Sequence, residues 1–306
     1  MTATRKPLDG MAIGIIVTLC FCWGLQQVAI KASASVISPV MQIGLRSVIA
    51  LAMVLVYMRW RGIAILNRDG TLWAGLAAGS LFGLEFLWIA LGLGYTSASH
   101  MAVFIYTAPI FAALGLHFRV AGEALSPWQW VGVGVSFLGI IATFFEGLMS
   151  PADTYPLMWL GDLLGLAAGL FWGLTTVVIR ATSLSEAPPT KTLLYQLILA
   201  SAVLLVYAWV TETHRIGTMT PLVWSSMVFQ VLVIGFASLM LWFWMLRHYL
   251  ASRVSVFTFL TPVFGVALGV WLLDEPFTPG FAMGALLIVA GITLVNWPRA
   301  TARSQG

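Results

Sequence analysis

The sequence predicts an all-α integral membrane protein with ten transmembrane helices, arranged as a five-plus-five inverted repeat. Three observations predict it: a composition nearly free of charge, apolar runs of membrane-crossing length, and a second half that echoes the first. Of 306 residues, 60% are hydrophobic and only 8% are Asp, Glu, Lys or Arg, whereas a soluble domain carries roughly a quarter charged residues. So few charges cannot cover a water-facing surface.

The expected spans are Met11–Ile30, Ile37–Met58, Leu72–Leu93, Ala98–Phe118, Trp128–Gly147, Leu157–Ile179, Thr192–Val210, Leu222–Leu246, Val254–Leu273 and Gly280–Asn296. Each is close to the ~20 residues a helix needs to cross roughly 30 Å of hydrocarbon. The first follows Arg5 and Lys6 as a signal peptide would, but it ends without a small-x-small cleavage site and is expected to stay in the mature protein. With the N-terminus inside, the inner segments hold Arg5, Lys6, Arg59, Arg61, Arg68, Arg119, Arg180, Lys191, Arg247, Arg253, Arg299 and Arg303. The outer ones hold Lys31 and Arg215, and Arg46 lies within a span. This positive-inside bias places both termini, 1–10 and 298–306, in the cytoplasm of a multi-pass plasma-membrane protein, the inner membrane in a bacterium. It also accounts for the net charge of +4 without any nucleic-acid partner. Cys20 and Cys22, the only cysteines, point to adjacent helix faces and suit packing rather than a disulfide or a zinc site.

Laid on itself, the chain repeats in order. FCWGLQQVAIK at 21–31 matches LFWGLTTVVIR at 170–180, and Pro39, Ala50 and Leu55-Val56-Tyr57 recur as Pro189, Ala200 and Leu205-Val206-Tyr207. Ala98, Ser99, Val103, Phe104, Pro109 and Phe111 recur as Ala251, Ser252, Val256, Phe257, Pro262 and Phe264. Glu123, Pro127, Gly132 and Gly139 recur as Glu275, Pro279, Gly284 and Gly291. Five spans is an odd number, so the second repeat, 157–297, must enter the membrane in the opposite sense to the first, 11–147. Inverted repeats of this kind underlie carriers that open a midplane site alternately to either side.

The W-G near the end of the first span, the Ser99-to-Pro109 and Ser252-to-Pro262 helices, and the E-x-x-[ST]-P…G…G tail of both halves resemble the EamA repeat of the drug/metabolite transporter superfamily. The resemblance covers residues 11–297. In length and aromatic content the chain is similar to the YddG-type exporters of aromatic and other neutral amino acids. The resemblance implies a secondary transporter of amino acids or related small metabolites, working by alternating access, with a drug-efflux or other metabolite carrier as the alternative.

Several residues are candidates for the mechanism. Pro109 and Pro262 fall at equivalent mid-span positions, where proline removes a backbone hydrogen bond and clashes four residues back, so paired hinges or fixed kinks are expected. Gly75, Gly79 and Gly83, Gly265 and Gly269, and Gly280 and Gly284 have the spacing that lets helix backbones approach closely. Gln26 and Gln27 share a helix face with Trp23, and Thr175 and Thr176 with Trp172. Both faces suit either a central cavity or interhelical hydrogen bonding. Trp88, Tyr106, Tyr195 and Trp242 are candidate aromatic walls, and Ser99, His100 and Ser252 candidate gate residues.

Arg46 and Glu85 stand apart as charges inside apolar spans. Arg46 lies nine residues, about 14 Å, from the outer end of its span and Glu85 eight residues, about 12 Å, from the outer end of its own, so the depths agree. A lone charge there costs at least roughly 2.5 kcal/mol. The pair is therefore expected to face one another and to hold the two charged ends of a zwitterionic substrate, or else to form a structural ion pair.

No phosphate-binding G-x-x-x-x-G-K-[ST] loop, H-E-x-x-H or Cys/His cluster occurs. No catalytic residue, metal or cofactor is expected, transport must run on a substrate or ion gradient, and a channel or membrane enzyme fits less well. The expected partners are a small-molecule substrate and membrane lipid, and the expected state is a monomer.

Overall fold

A computed structural model describes residues 9–65, 69–120, 124–149, 155–249, 257–258 and 260–295. These form helices joined by short turns: α1 (Gly10–Ala32), α2 (Pro39–Trp60), α3 (Leu72–Gly92), α4 (Ala98–Ile105), α5 (Ala108–Arg119), α6 (Pro127–Met149), α7 (Met158–Ala181), α8 (Pro189–Val210), α9 (Pro221–Val228), a π-helix (Phe229–Ala237), α10 (Ser238–His248), α11 (Leu260–Leu273) and α12 (Pro279–Val295). The described residues contain no strand, and Ile37 and Ile216 form an isolated antiparallel bridge. Eight segments are long and apolar enough to cross a membrane: α1, α2, α3, the α4–α5 pair, α6, α7, α8 and Pro221–Trp242. α11 and α12 are shorter apolar helices. The chain is a multi-span membrane protein.

Local chemistry sets the helix starts. Asp9 accepts from the Ala12 amide at 2.8 Å to cap α1, Ser38 from Met41 at 3.2 Å to cap α2, and Ser97 from His100 at 3.0 Å to cap α4. Proline opens α2, α8 and α9, where its missing N–H costs nothing.

The fourth expected span is divided. α4 stops at Ile105 and α5 begins at Ala108, with Tyr106 and Thr107 between them, because Pro109 offers no N–H and its ring crowds the carbonyl four residues back, that of Ile105. α11 likewise begins just before Pro262. The remainder of the ninth expected span, residues 254–256 and 259, lies outside the described residues, as do Ser252, Glu123 and both chain ends. The eighth expected span is not a uniform α-helix, since residues Phe229–Ala237 wind as π-helix.

Glycines carry the closest helix contacts. α6 and α12 run antiparallel, and a Cβ on Gly132 would lie 2.8 Å from the Gly291 carbonyl, one on Gly139 2.7 Å from that of Gly284, with Ser136 against Ile288 between them. On α1, a Cβ at Gly24 would meet the Gly265 nitrogen at 2.7 Å and Phe264 Cβ at 2.9 Å on α11. On α7, one at Gly173 would meet the Ala112 nitrogen at 2.9 Å and Phe111 Cβ at 2.6 Å on α5. Gly75, Gly79 and Gly83 seat α3 on α8, and Gly235 of the π-helix seats on Ala50 and the Arg46 stem of α2. Around these seams Ile43, Ile89, Leu93, Met101 and Leu204 form one buried core. At the end of the bundle where α3 and α8 begin, Lys191 pairs with Asp69. Hydrogen bonds from Lys191 and Thr71 pull the Asp69 carboxyl down to about 2.

Candidate functional site

Arg46 on α2 and Glu85 on α3 are each only 5% exposed. Each sits in the field of the other, yet no Arg46 nitrogen comes within 4.0 Å of a Glu85 oxygen. Arg46 Nη1 and Glu85 Oε2 are buried without a hydrogen-bond partner, and so are Gln27 Oε1 and Trp88 Nε1. Buried polar atoms are ordinarily paired, and each exception calls for a reason. The Arg46 guanidinium lies over the Phe86 ring at 4.7 Å, which holds the fork by cation–π attraction without using its donors.

Trp88, Tyr106 and Trp172 pack against the same buried core. Trp88 follows Glu85 by one helical turn and packs edge-on to Phe171 at 6.3 Å. Tyr106, in the break between α4 and α5, meets Trp172 edge-on at 5.4 Å. The division forced by Pro109 thus places Tyr106 at an interruption in the helix.

The other sequence candidates go elsewhere. The Trp23 indole donates to Ser238 Oγ at 3.2 Å and packs edge-on to Trp242 at 5.4 Å, so these two tryptophans form a seam between α1 and α10. Gln26 is buried on α1. Thr175 and Thr176 donate back to the carbonyls of Phe171 and Trp172, at 2.9 and 3.2 Å, within their own helix. Tyr195 covers Gly75 and its hydroxyl lies 3.2 Å from Thr71 Oγ1, at the start of α3.

Ser99 and His100 fall in a polar layer where α3 ends and α4 begins. Glu275 accepts from the Ala98 and Ser99 amides at 2.6 and 2.9 Å and from the Ser99 hydroxyl at 2.6 Å. Its negative charge thereby complements the N-terminal dipole of α4. Lys31 donates to the Leu93 carbonyl at 2.9 Å and to that of Thr96, and lies over the Tyr155 ring at 4.3 Å. His100 Nδ1 is 3.0 Å from Asp162 Oδ2, and the Thr96 hydroxyl donates to Oδ1 at 2.6 Å.

Sequence reasoning missed Asp162, Thr96, Glu275 and Lys31 as site candidates. It also missed a buried amide network in which Gln230 donates to Gln42 Oε1 at 2.8 Å and to Ser226 Oγ at 3.1 Å, and Ser33 donates to Gln42 at 3.1 Å. Polar residues inside apolar runs were the available signal for Gln42 and Gln230. Among the described residues no three His, Cys, Asp or Glu side chains group as a metal site would require. An apolar groove of about 430 Å³, lined by Ile37, Leu45, Met219, Met227 and Leu232 among others, lies outside the Arg46–Glu85 group.

Comparison with known proteins gives these features a context. The sequence is similar to a transporter of uncharacterised function, YoaV of Bacillus subtilis, at 27% identity over 90% of this chain and 94% of that one. It is similar to a probable amino-acid metabolite efflux pump of Escherichia coli at 25% identity over 95% and 97% of the two chains. A pump of the same description from Salmonella typhimurium matches at 24% identity over 97% and 99%. A solved crystal structure shares the fold with a TM-score of 0.61 at 19% identity, covering 94% of this chain and 96% of that one. The EamA-like transporter family matches twice, over residues 10–145 and 159–297, and with both halves covered the chain belongs to that family.

Proposed function

We propose that this transporter is a secondary carrier that exports aromatic and other neutral amino acids, or closely related metabolites, across the plasma membrane by alternating access. The observation that carries the reading is the buried, separated pair of Arg46 Nη1 and Glu85 Oε2, each without a hydrogen bond. A purely structural ion pair gains by closing to contact, whereas a zwitterion supplies both missing partners. Its carboxylate fits the planar Arg46 fork and its ammonium fits Glu85. A flat apolar side chain would then lie against Trp88, Tyr106 and Trp172. The Escherichia coli relative, a probable amino-acid metabolite efflux pump, agrees with this substrate class.

The carrier works as a monomer with ten spans in two inverted repeats and both termini cytoplasmic. The glycine contacts support the symmetry. Gly24 meets Phe264 and Gly265 while its repeat mate Gly173 meets Phe111 and Ala112, their repeat mates. Gly132 and Gly139 touch Gly291 and Gly284 crosswise, the pattern a twofold axis imposes. Because α6 and α12 are antiparallel, that axis would lie in the membrane plane. Pro109 and Pro262 serve as paired hinges, and Ser99 with His100, and Ser252, stand at opposite gates.

Uptake of radiolabelled phenylalanine, tryptophan, leucine and a polyamine into proteoliposomes tests the reading. Saturable amino-acid flux, with cross-competition, is expected. If no amino acid moves and none competes, the reading fails; flux of the polyamine alone points to a carrier of organic cations.

A further inference from the structure

The polar layer at the α3–α4 turn contains a buried ionisable pair that substrate binding does not use. Asp162 is fully buried and His100 is 6% exposed. His100 Nδ1 lies 3.1 and 3.0 Å from the two carboxylate oxygens, and the ring stacks flat on Phe281 at 4.2 Å and 10°. His100 and Thr96 come from the first repeat, Asp162 and Phe281 from the second. We propose that His100 and Asp162 form a proton-binding site that latches the two halves together at the external end of the transporter.

The chemistry follows from the charges in the layer. Four groups meet there: Lys31 from α1, Glu275 from the segment after α11, His100 from α4 and Asp162 from α7. With an imidazolium at His100 their charges cancel. With a neutral ring, one negative charge stays in a buried layer, where uncompensated charge is costly. The remaining neighbours supply no further charge: Tyr155 precedes α7, Tyr95 is exposed in the turn, α12 presents Phe281, and Glu85 of α3 lies about two turns further down its helix. Loading is a simple transfer in which a hydronium ion gives its proton to the imidazole and departs as water. The protonated ring then pairs with Asp162 as cation with anion, whereas a neutral ring donating through Nδ1–H leaves only the carboxylate charged.

The repeat gives the site a direction. The correspondence that maps Ala98, Ser99 and Val103 onto Ala251, Ser252 and Val256 maps His100 onto Arg253. An arginine stays charged at every physiological pH, whereas histidine changes charge between about pH 5 and 8. The mate position of His100 therefore carries a charge that does not change over that range. External acid holds that end closed, loss of the proton frees it, and by linkage outward opening lowers the affinity for the proton. The external placement and any effect on flux rest on the carrier reading above; the proton site itself does not.

The test therefore reads opening without a substrate. In a chain with Cys20 and Cys22 replaced by Ala, a cysteine is placed at Met101, fully buried one residue past His100 against Gly92. Its labelling by a membrane-impermeant maleimide is divided by that of a reference cysteine at Tyr95, which is 40% exposed. The ratio is expected to rise about fivefold or more from pH 5 to pH 8, and to be high and independent of pH in His100→Gln and in Asp162→Asn. A flat wild-type ratio, or a His100→Gln protein that keeps the wild-type profile, overturns the proposal. Should neither variant insert, a chain with His117, His214 and His248 replaced by Gln leaves His100 as the one imidazole for nitrogen NMR. The ring nitrogens are expected to report both charge states as pH is varied, and a ring that holds one charge state throughout overturns the site. Loss of all amino-acid flux in the unmodified protein would defeat the carrier reading while leaving both of these measurements in force.

Discussion

Glu85→Gln changes charge with almost no change in shape, so it isolates what the buried carboxylate does. If Glu85 Oε2, which has no partner within the protein, accepts from a substrate ammonium, the substitution removes one hydrogen bond to a charged group, worth about 1.5–3 kcal/mol. At 1.4 kcal/mol per decade, Kd rises about tenfold to a hundredfold. Arg46→Gln removes the fork for the carboxylate and loses at least as much. A structural ion pair makes a different forecast: either single variant strands a buried charge at a cost of about 3–5 kcal/mol in stability, and neutralising both residues restores it. Equilibrium binding of phenylalanine, read from tryptophan fluorescence with Trp88 one helical turn from Glu85, is measured with the melting temperature of each variant in detergent. Folded single variants with weakened binding, and a double variant whose affinity does not recover, are expected. A folded Glu85→Gln protein with the wild-type Kd refutes the reasoning.

Four further outcomes follow from the geometry. Pro109→Ala and Pro262→Ala are expected to slow transport severalfold with Kd unchanged, and wild-type rates in both would reduce the prolines to fixed bends. Gly24→Ala and Gly173→Ala each push a methyl to within 3 Å of backbone on the facing helix; overpacking of this kind costs about 1–3 kcal/mol, and an unshifted melting temperature would contradict the close contact. Asp69, held down to about 2 by Lys191 and Thr71, contributes stability that is present above the ordinary carboxylate value near ~3.9 and is lost as pH falls through the lower value. Acid melts of Asp69→Asn should lack that loss, and a profile matching wild type between the two values would remove the clamp. Cysteines at Arg61 and Arg215, which follow the second helix of each repeat, should label from opposite sides of the membrane; same-side labelling would end the inverted-repeat reading.

The membrane class was legible because charge depletion leaves few alternatives, and Arg46 and Glu85 were legible because an ionisable residue within an apolar run stands out. The division at Tyr106 was written in Pro109. The π-helix was not: FQVLVIGFA contains no proline, and nothing local distinguishes it from an ordinary span. Asp162 lies near the start of α7, where a charge reads as interfacial, and its pairing with His100 joins residues 62 apart in the chain, so no local pattern could announce it. Tyr195 looked like a cavity wall because aromatic residues do line cavities, yet its ring is committed to covering Gly75. Side-chain direction, set by packing between distant helices, is the information that periodicity lacks.

The exchanged glycine contacts impose an order on biogenesis. The notch at Gly173 can close as soon as α7 is made, because Phe111 and Ala112 are already in the membrane, but the notch at Gly24 must wait for Phe264 and Gly265. At about 5–20 residues per second, α1 spends roughly 10–50 s in the bilayer with that face open to lipid. The first helix inserted then gains its principal partner among the last, and a ribosome stalled before α11 leaves behind a chain whose opening helix lacks that seat.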